Sequence, residues 1–323
     1  MDTKIQNYID TYEILHQNMK WKVTDKNILM TIASIYTMNN KMLNIEKMLK
    51  ISDSIKGRAG LFSSMKSYPR FTTAAMLDVN FEDPENQVEQ LFDYYERFRE
   101  AKFSSGTFTY MAATILLTNQ DQVKSVEQTI NKVKSIYDGM KKEHGFLTSS
   151  GDYPLATLLA FEDKEDIIDH IEMYYERLAK NGFRKGNDLQ ILSHILSLSD
   201  DINVEQLVSR AVSVYDSLKT VRIKPKAMYY PAIGILTLLP PEELDIQVIV
   251  NMYEKLNQEK QFKWQKDMNV LLAVSFYVNE KLENNGLAET SIYSVLESII
   301  QAQQAVMIAA VTGATAAASS SNN

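Results

Sequence analysis

The chain has no cysteine, which excludes disulfides, thiolate metal sites and a cysteine nucleophile. Histidine is scarce. His16, His144, His170 and His194 stand far apart, so no close pair on one helical face supports a His-based zinc site. No uncharged apolar run approaches the ~20 residues that span a bilayer. The best candidate, Ala305 to Ala318, is short and rich in Ala, Thr and Gly. The opening Met1-Asp2-Thr3-Lys4-Ile5-Gln6-Asn7 lacks a basic segment followed by an apolar one, so it does not read as a signal peptide. A Gly-rich phosphate loop, a His-Glu-x-x-His helix and a Gly-x-Ser-x-Gly elbow are all missing. These absences lead us to expect a cytoplasmic protein with no cofactor, no metal and no membrane span.

Positive charge is also in deficit, with 34 Lys and Arg against 41 Asp and Glu and a net charge of −7. The basic residues are scattered among acidic ones along the sequence, which disfavours nucleic acid as a partner. The apolar share, 45% of 323 residues, is ordinary for a folded protein with a substantial core.

What is present is a repeat. A bulky apolar residue recurs at Trp21, Phe62, Phe103, Phe146, Phe183, Ile223 and Phe262, in steps of 41, 41, 43, 37, 40 and 39 residues. After each of these anchors come a few polar or turn-forming residues and then a short segment that is apolar nearly all round, such as Tyr110 to Leu117 or Leu189 to Leu196. Such segments suit buried, closely packed helices, termed A here. Pro69, Pro154 and Pro231 lie near the start of three of them, where a missing N–H costs nothing. A longer amphipathic helix, B, follows in each unit, exemplified by Ile167, Ile168, Ile171, Tyr174, Tyr175 and Leu178 among acidic residues. Near its end a Tyr-acid pattern recurs at Tyr95, Tyr137, Tyr175, Tyr215 and Tyr253, 8 or 9 residues before the next anchor.

Two recurrences in one phase predict an all-α fold of about seven tandem αα-hairpins. One hairpin cannot bury its own apolar face, so A helices should stack on one another, with the anchor and the Tyr filling the joint between units. The apolar A helices and short turns point to an α/α toroid or nearly closed ring, with an open superhelical solenoid as the alternative. The expected organisation is a single repeat domain over 1–304 and an Ala/Ser-rich tail over 305–323, at least partly disordered. Ile5, Tyr8, Ile9, Tyr12 and Leu15 mark a helix capping the N-terminal end. A polar insertion from Glu280 to Gly286 marks the last repeat as atypical.

Chemistry-bearing residues gather where B hands over to A. Asp25, Asp152, Asp188 and Asp267 stand 4, 6, 5 and 5 residues after their anchors. On a shared rim these carboxylates suit a cation, a sugar or proton transfer, while N-capping of the A helices is the plainer role. Gln190 and His194, four apart on one face with Asn187, Asp188 and Ser193 beside them, form the most polar stretch on any A helix. Satisfied hydrogen bonds inside the stack are the plainer role for this pair. Tyr230, Trp264 and Lys266 occupy the matching region of the last two units, where aromatics are more often core than ligand platforms. The acidic run Glu162, Asp163, Glu165 and Asp166 reads as a solvated turn.

The segments Gly151-Asp152-Tyr153-Pro154-Leu155-Ala156 and Gly186-Asn187-Asp188-Leu189-Gln190, with Leu192-Ser193-His194-Ile195-Leu196 and the tail from Gln301, resemble a mainly Gram-positive bacterial family known only as a domain of unknown function. That resemblance spans nearly the whole chain and implies no activity, cofactor or catalytic residue. Gly145-Phe146 and Gly182-Phe183 also loosely resemble the aromatic that precedes an inner helix in prenyltransferase and terpene-cyclase toroids. The chain lacks their Asp-x-Asp-Asp motif and their Cys and His zinc ligands, so those activities are not implied.

Two functions follow as expectations. The first is a non-enzymatic binding or scaffold protein that offers the A-helix rim or concave face to a protein, peptide or small ligand. The second is an enzyme with a central pocket that uses Asp152, Asp188 and His194 for acid–base work.

Overall fold

The computed structural model describes residues 2–161, 166–199, 202–221 and 223–284. Among them the chain forms fourteen α-helices and no strand. A helix α1 (Asp2–Met19) comes first. The apolar A segments are α2 (Lys26–Met38), α4 (Pro69–Asn80), α6 (Thr107–Thr118), α8 (Tyr153–Leu159), α10 (Asn187–Ser197), α12 (Tyr230–Leu238) and α14 (Lys266–Asn284). The B helices between them are α3 (Ile45–Arg58), α5 (Gln87–Glu100), α7 (Val126–Glu143), α9 (Ile167–Lys180), α11 (Val204–Thr220) and α13 (Ile246–Gln258). The expected tail, 305–323, and Glu162 to Glu165 lie outside the described residues.

Local chemistry accounts for the boundaries. Asp25, Asn44, Asn203 and Asp245 accept backbone N–H bonds at the starts of α2, α3, α11 and α13. Pro69, Pro154 and Pro231 each occupy the first turn of an A helix. Every residue of α2 from Ile28 to Met38 is buried, whereas α9 buries only Ile167, Ile171, Tyr174, Tyr175 and Leu178 along one stripe. Ile5, Tyr8, Ile9, Tyr12 and Leu15 of α1 are all buried, as their spacing predicts. Of the polar insertion expected from Glu280 to Gly286, residues 280–284 belong to α14, and 285 and 286 lie outside the described residues.

The chain divides into two compact units. One takes the described residues of Met1–Ile5, Gly139–Thr148 and Glu162–Gln301, and so holds α9 to α14. The other takes Gln6–Asp138 and Ser149–Phe161, with most of α1, α2 to α6 and α8. Inside each unit, successive A helices pack on one another: α2 on α4, α4 on α6 and α6 on α8 in one, α10 on α12 and α12 on α14 in the other. Each of α3, α5, α9, α11 and α13 packs chiefly on the A helix that follows it. The tightest approach is at Gly234 of α12, where a Cβ would meet Leu192 Cδ1 at 2.9 Å and Ile195 Cγ2 at 3.0 Å on α10.

The anchors follow the repeat only in part. Phe103, Phe183, Ile223 and Phe262 are buried, but Trp21 and Phe62 are 88% and 98% exposed and Phe146 is fully exposed. Phe262 is buried with its N–H on the Glu259 carbonyl, and for the other anchors the cause lies in how the preceding helix ends. The N–H groups of Phe103, Phe183 and Ile223 donate to the carbonyls of Phe98, Leu178 and Leu218, five residues back. Lys102 (φ 69°) and Gly182 (φ 94°) take the left-handed turn that this closure requires. The closure swings the anchor onto its own helix, with the Phe98 and Phe103 rings 5.0 Å apart. Trp21, Phe62 and Phe146 do not close this way. Val23, Met65 and Thr148, two or three residues further on, take the buried place instead.

Candidate functional site

Seven residues after the anchors at 103, 146, 183, 223 and 262 stand Tyr110, Tyr153, Gln190, Tyr230 and Asn269, polar-tipped side chains on otherwise apolar helices. All five are buried. Four of them bond to the loop of the preceding repeat. The Ser63 hydroxyl donates to Tyr110 Oη at 3.1 Å, and the Ser104 N–H donates to Tyr153 Oη at 3.2 Å. Gln190 Nε2 donates to Thr148 Oγ1 at 3.2 Å, and the Arg184 N–H donates to Tyr230 Oη at 2.9 Å. Asn269 donates to Phe262 O within its own loop. A buried N–H without an acceptor is costly, so these side chains fix the register of one hairpin on the next. The sequence signal was there, in the same phase as the anchors, and was missed because Gln and Asn stand in for Tyr.

Tyr230, a candidate ligand platform, therefore spends its hydroxyl inside the joint, and burial raises its pKa. The helix-B tyrosines complete the same joint. Tyr95 stacks on Tyr110 at 3.8 Å, Tyr137 packs edge-on against Tyr153 at 4.8 Å, and Tyr215 sits 6.3 Å from Tyr230.

Among the rim acids, Asp25 is an N-cap. Asp152 accepts the Ser149 N–H at 2.8 Å, closing a capping box around a short 3₁₀ turn rather than capping α8 from in front. Burial pushes its carboxyl up to about 6 against that hydrogen bond. Asp188 is half-buried, and burial raises its pKa. Asp267 receives the Lys226 ammonium at 2.6 Å and the Tyr229 hydroxyl at 2.5 Å. Burial acts to raise its pKa, but these two donors hold it below the usual range.

In the α9–α14 unit, Asn187 and Lys266 are exposed, whereas Gln190 and His194 are buried. Neither imidazole nitrogen of His194 has a hydrogen-bond partner, and Gln190 Oε1 has none. Full burial, reinforced by nearby His144, drives the His194 pKa down to about 3, so the ring is neutral at physiological pH. The hydrogen bonds expected to satisfy His194 are not made. Trp264 is 81% exposed and so is not core, contrary to the plainer expectation.

One pairing could not be read from the sequence. His144, at the end of α7, places Nε2 2.9 Å from Glu172 Oε2 on α9, and its ring lies 4.5 Å from Tyr175. Burial raises the Glu172 pKa in spite of the imidazole. The two residues are 28 apart in sequence, beyond any helical spacing. Among the described residues, no group of three His, Cys, Asp or Glu side chains has the geometry of a metal site. Nor is any helix long and apolar enough to cross a membrane.

Residues 11–305 match the family described as protein of unknown function, DUF4003. The chain belongs to this family. It is also 40% identical over 316 residues to the "Uncharacterized protein YeaA" of Bacillus subtilis (strain 168), covering 97% of this chain and 95% of that one. No solved structure matches. The DUF4003 match takes in every helix from α2 to α14, and with them the joint and all of the rim residues.

Proposed function

We propose that this DUF4003 member is a non-enzymatic binding or scaffold protein whose working surface is the rim where B helices hand over to A helices. One observation carries the reading: Phe62, Phe146 and Trp264 stand in solvent at such handovers, and Trp21 does so at the matching one from α1 to α2. Leaving four large aromatic rings in water forgoes about 2 kcal/mol of burial each, which a purely structural loop has no reason to do. The acid–base alternative lacks comparable support. His194 is fully buried and its ring is not an imidazolium at neutral pH, and Asp152 is engaged in its capping box. Clefts of about 370, 350 and 310 Å³ are lined by other residues, such as Arg97 and Glu127, Tyr36 and Lys41, or Val248 and Lys255.

A photo-crosslinking residue placed at 62 or 264, and for comparison at the exposed Glu242, tests the working surface in living cells. Adducts at the rim positions alone are expected. Equal labelling at 242, or none at the rim, removes the rim from consideration.

A further inference from the structure

Along the sequence the charges look mixed, but the hairpins sort them. The stretches around the four exposed aromatics, 20–26, 56–66, 141–147 and 259–266, carry eleven Lys and Arg and three Asp and Glu. The A-to-B turns at 39–46, 80–89, 119–127 and 239–246 carry two and ten. Handovers and turns lie at opposite ends of the helices they join, so the stacking of helices within each unit gives it a basic, aromatic-bearing edge and an acidic one. Part of this sorting complements the dipoles of the B helices. The aromatics have no such explanation.

Each exposed ring is attended by two lysines. Lys20 and Lys22 flank Trp21, Lys56 and Lys66 bracket Phe62, Lys141 and Lys142 precede Phe146, and Lys260 and Lys263 precede Trp264. None of these eight lysines has a carboxylate partner among the described residues, although Lys66 donates to the Lys56 carbonyl. Lys20 and Lys263 lie over the Trp21 and Trp264 rings at 5.6 and 5.2 Å. The four rings stack on no other ring among the described residues. In one unit Leu61 stands 80% exposed beside Phe62, and in the other Met228 is exposed on the rim loop before α12.

We infer that the basic, aromatic-bearing edge of each unit docks on an anionic lipid surface, a step that rests on the rim being the working surface. Single aromatic rings at loop tips, each beside ammonium groups that have no carboxylate partner among the described residues, match the interface of a bilayer. There a ring enters the headgroup layer and lysines meet the phosphates. A protein partner would call for one contiguous apolar patch with pockets, and nucleobases would find nothing to stack on in Leu61 or Met228. Attachment would be peripheral, because none of the described helices can span. The acidic edge, repelled by the same lipids, sets the orientation.

The chain's two tryptophans, Trp21 and Trp264, lie one on the basic edge of each unit, so their emission reads the docking of each edge directly. The intact chain is titrated with vesicles of phosphatidylcholine alone and of phosphatidylcholine and phosphatidylglycerol in equal parts. A blue shift is expected on the anionic vesicles, with partitioning at least about tenfold stronger than on neutral ones and reversed by salt. Phe62→Ser with Phe146→Ser, which keeps both reporters, weakens it about tenfold. Reversing Lys20, Lys22, Lys260 and Lys263 to Glu weakens it about a hundredfold or more. Circular dichroism unchanged from wild type shows that these exposed substitutions leave the fold intact.

No shift on anionic vesicles overturns the lipid assignment. So does a shift produced by duplex DNA instead, or by raising protein concentration without lipid, which would indicate nucleic acid or a second copy of the chain. If the vesicles fail while cellular crosslinks at 62 persist, the rim reading stands and only the lipid is lost. If both fail, the rim is not the working surface.

Discussion

His194 lets the burial of the α10 face be measured through protons. Its ring is buried without a partner, and its pKa falls to about 3 in the fold against about 6.5 in an unfolded chain. Between those values the unfolded state binds one proton more than the folded state, so stability falls as pH falls. From pH 7.5 to pH 5 the loss assigned to this one group is about 2 kcal/mol, because each unit of pH below 6.5 costs about 1.4 kcal/mol. Asp152 acts in the opposite sense: its carboxyl, raised to about 6, keeps a proton in the fold that the unfolded chain releases. Wild-type pH dependence alone would therefore hide the effect. The variant His194→Leu removes one contribution and leaves the rest. Urea unfolding of both proteins at pH 7.5 and pH 5, followed by circular dichroism, should show the wild type losing about 2 kcal/mol more than the variant. His194→Gln, which also cannot titrate, should give the same difference whatever its own stability. Equal losses in wild type and both variants would mean that His194 reaches solvent or a proton acceptor, and would refute the buried, neutral ring.

Two further substitutions probe the packing between repeats. Tyr230→Phe strips the acceptor from the Arg184 N–H and should cost about 1–2 kcal/mol in urea unfolding, and an unchanged midpoint would mean the joint bond is not made. Gly234→Val places a branched side chain where a Cβ alone already meets Leu192 and Ile195. It should lower stability by about 1–3 kcal/mol despite leaving helix-disfavoured glycine behind, and a gain would show that α10 and α12 are not in such close contact.

The helical alternation was legible because it is local. Period, proline position and apolar content each report on a few neighbouring residues, and they placed the A helices, the amphipathic B helices and the buried face of α1. What escaped depends on distant partners. Phe62 and Phe103 look alike in sequence, yet only the second follows a residue, Lys102, in the left-handed turn that folds an anchor inward. Tyr110, Tyr153, Gln190 and Tyr230 share one role through different chemistry, so identity did not reveal the recurrence. His144 and Glu172 meet across two helices, and no spacing rule could join them. The basic edge of each unit was hard to see for a similar reason: charges forty residues apart meet there only when helices of that unit stack. His194 and Gln190 stand out in the sequence as polar residues on an A helix, but whether they faced a cavity or the packed interior was decided by tertiary contacts alone.

The central claim, that the B-to-A handovers are of two kinds, one closing an anchor into the joint and one presenting it to solvent, is tested most directly by four alanine variants measured side by side. Phe103→Ala and Phe183→Ala should each lose about 3–5 kcal/mol of unfolding free energy, while Phe62→Ala and Phe146→Ala should stay within about 0.5 kcal/mol of wild type. Comparable losses in all four would contradict it.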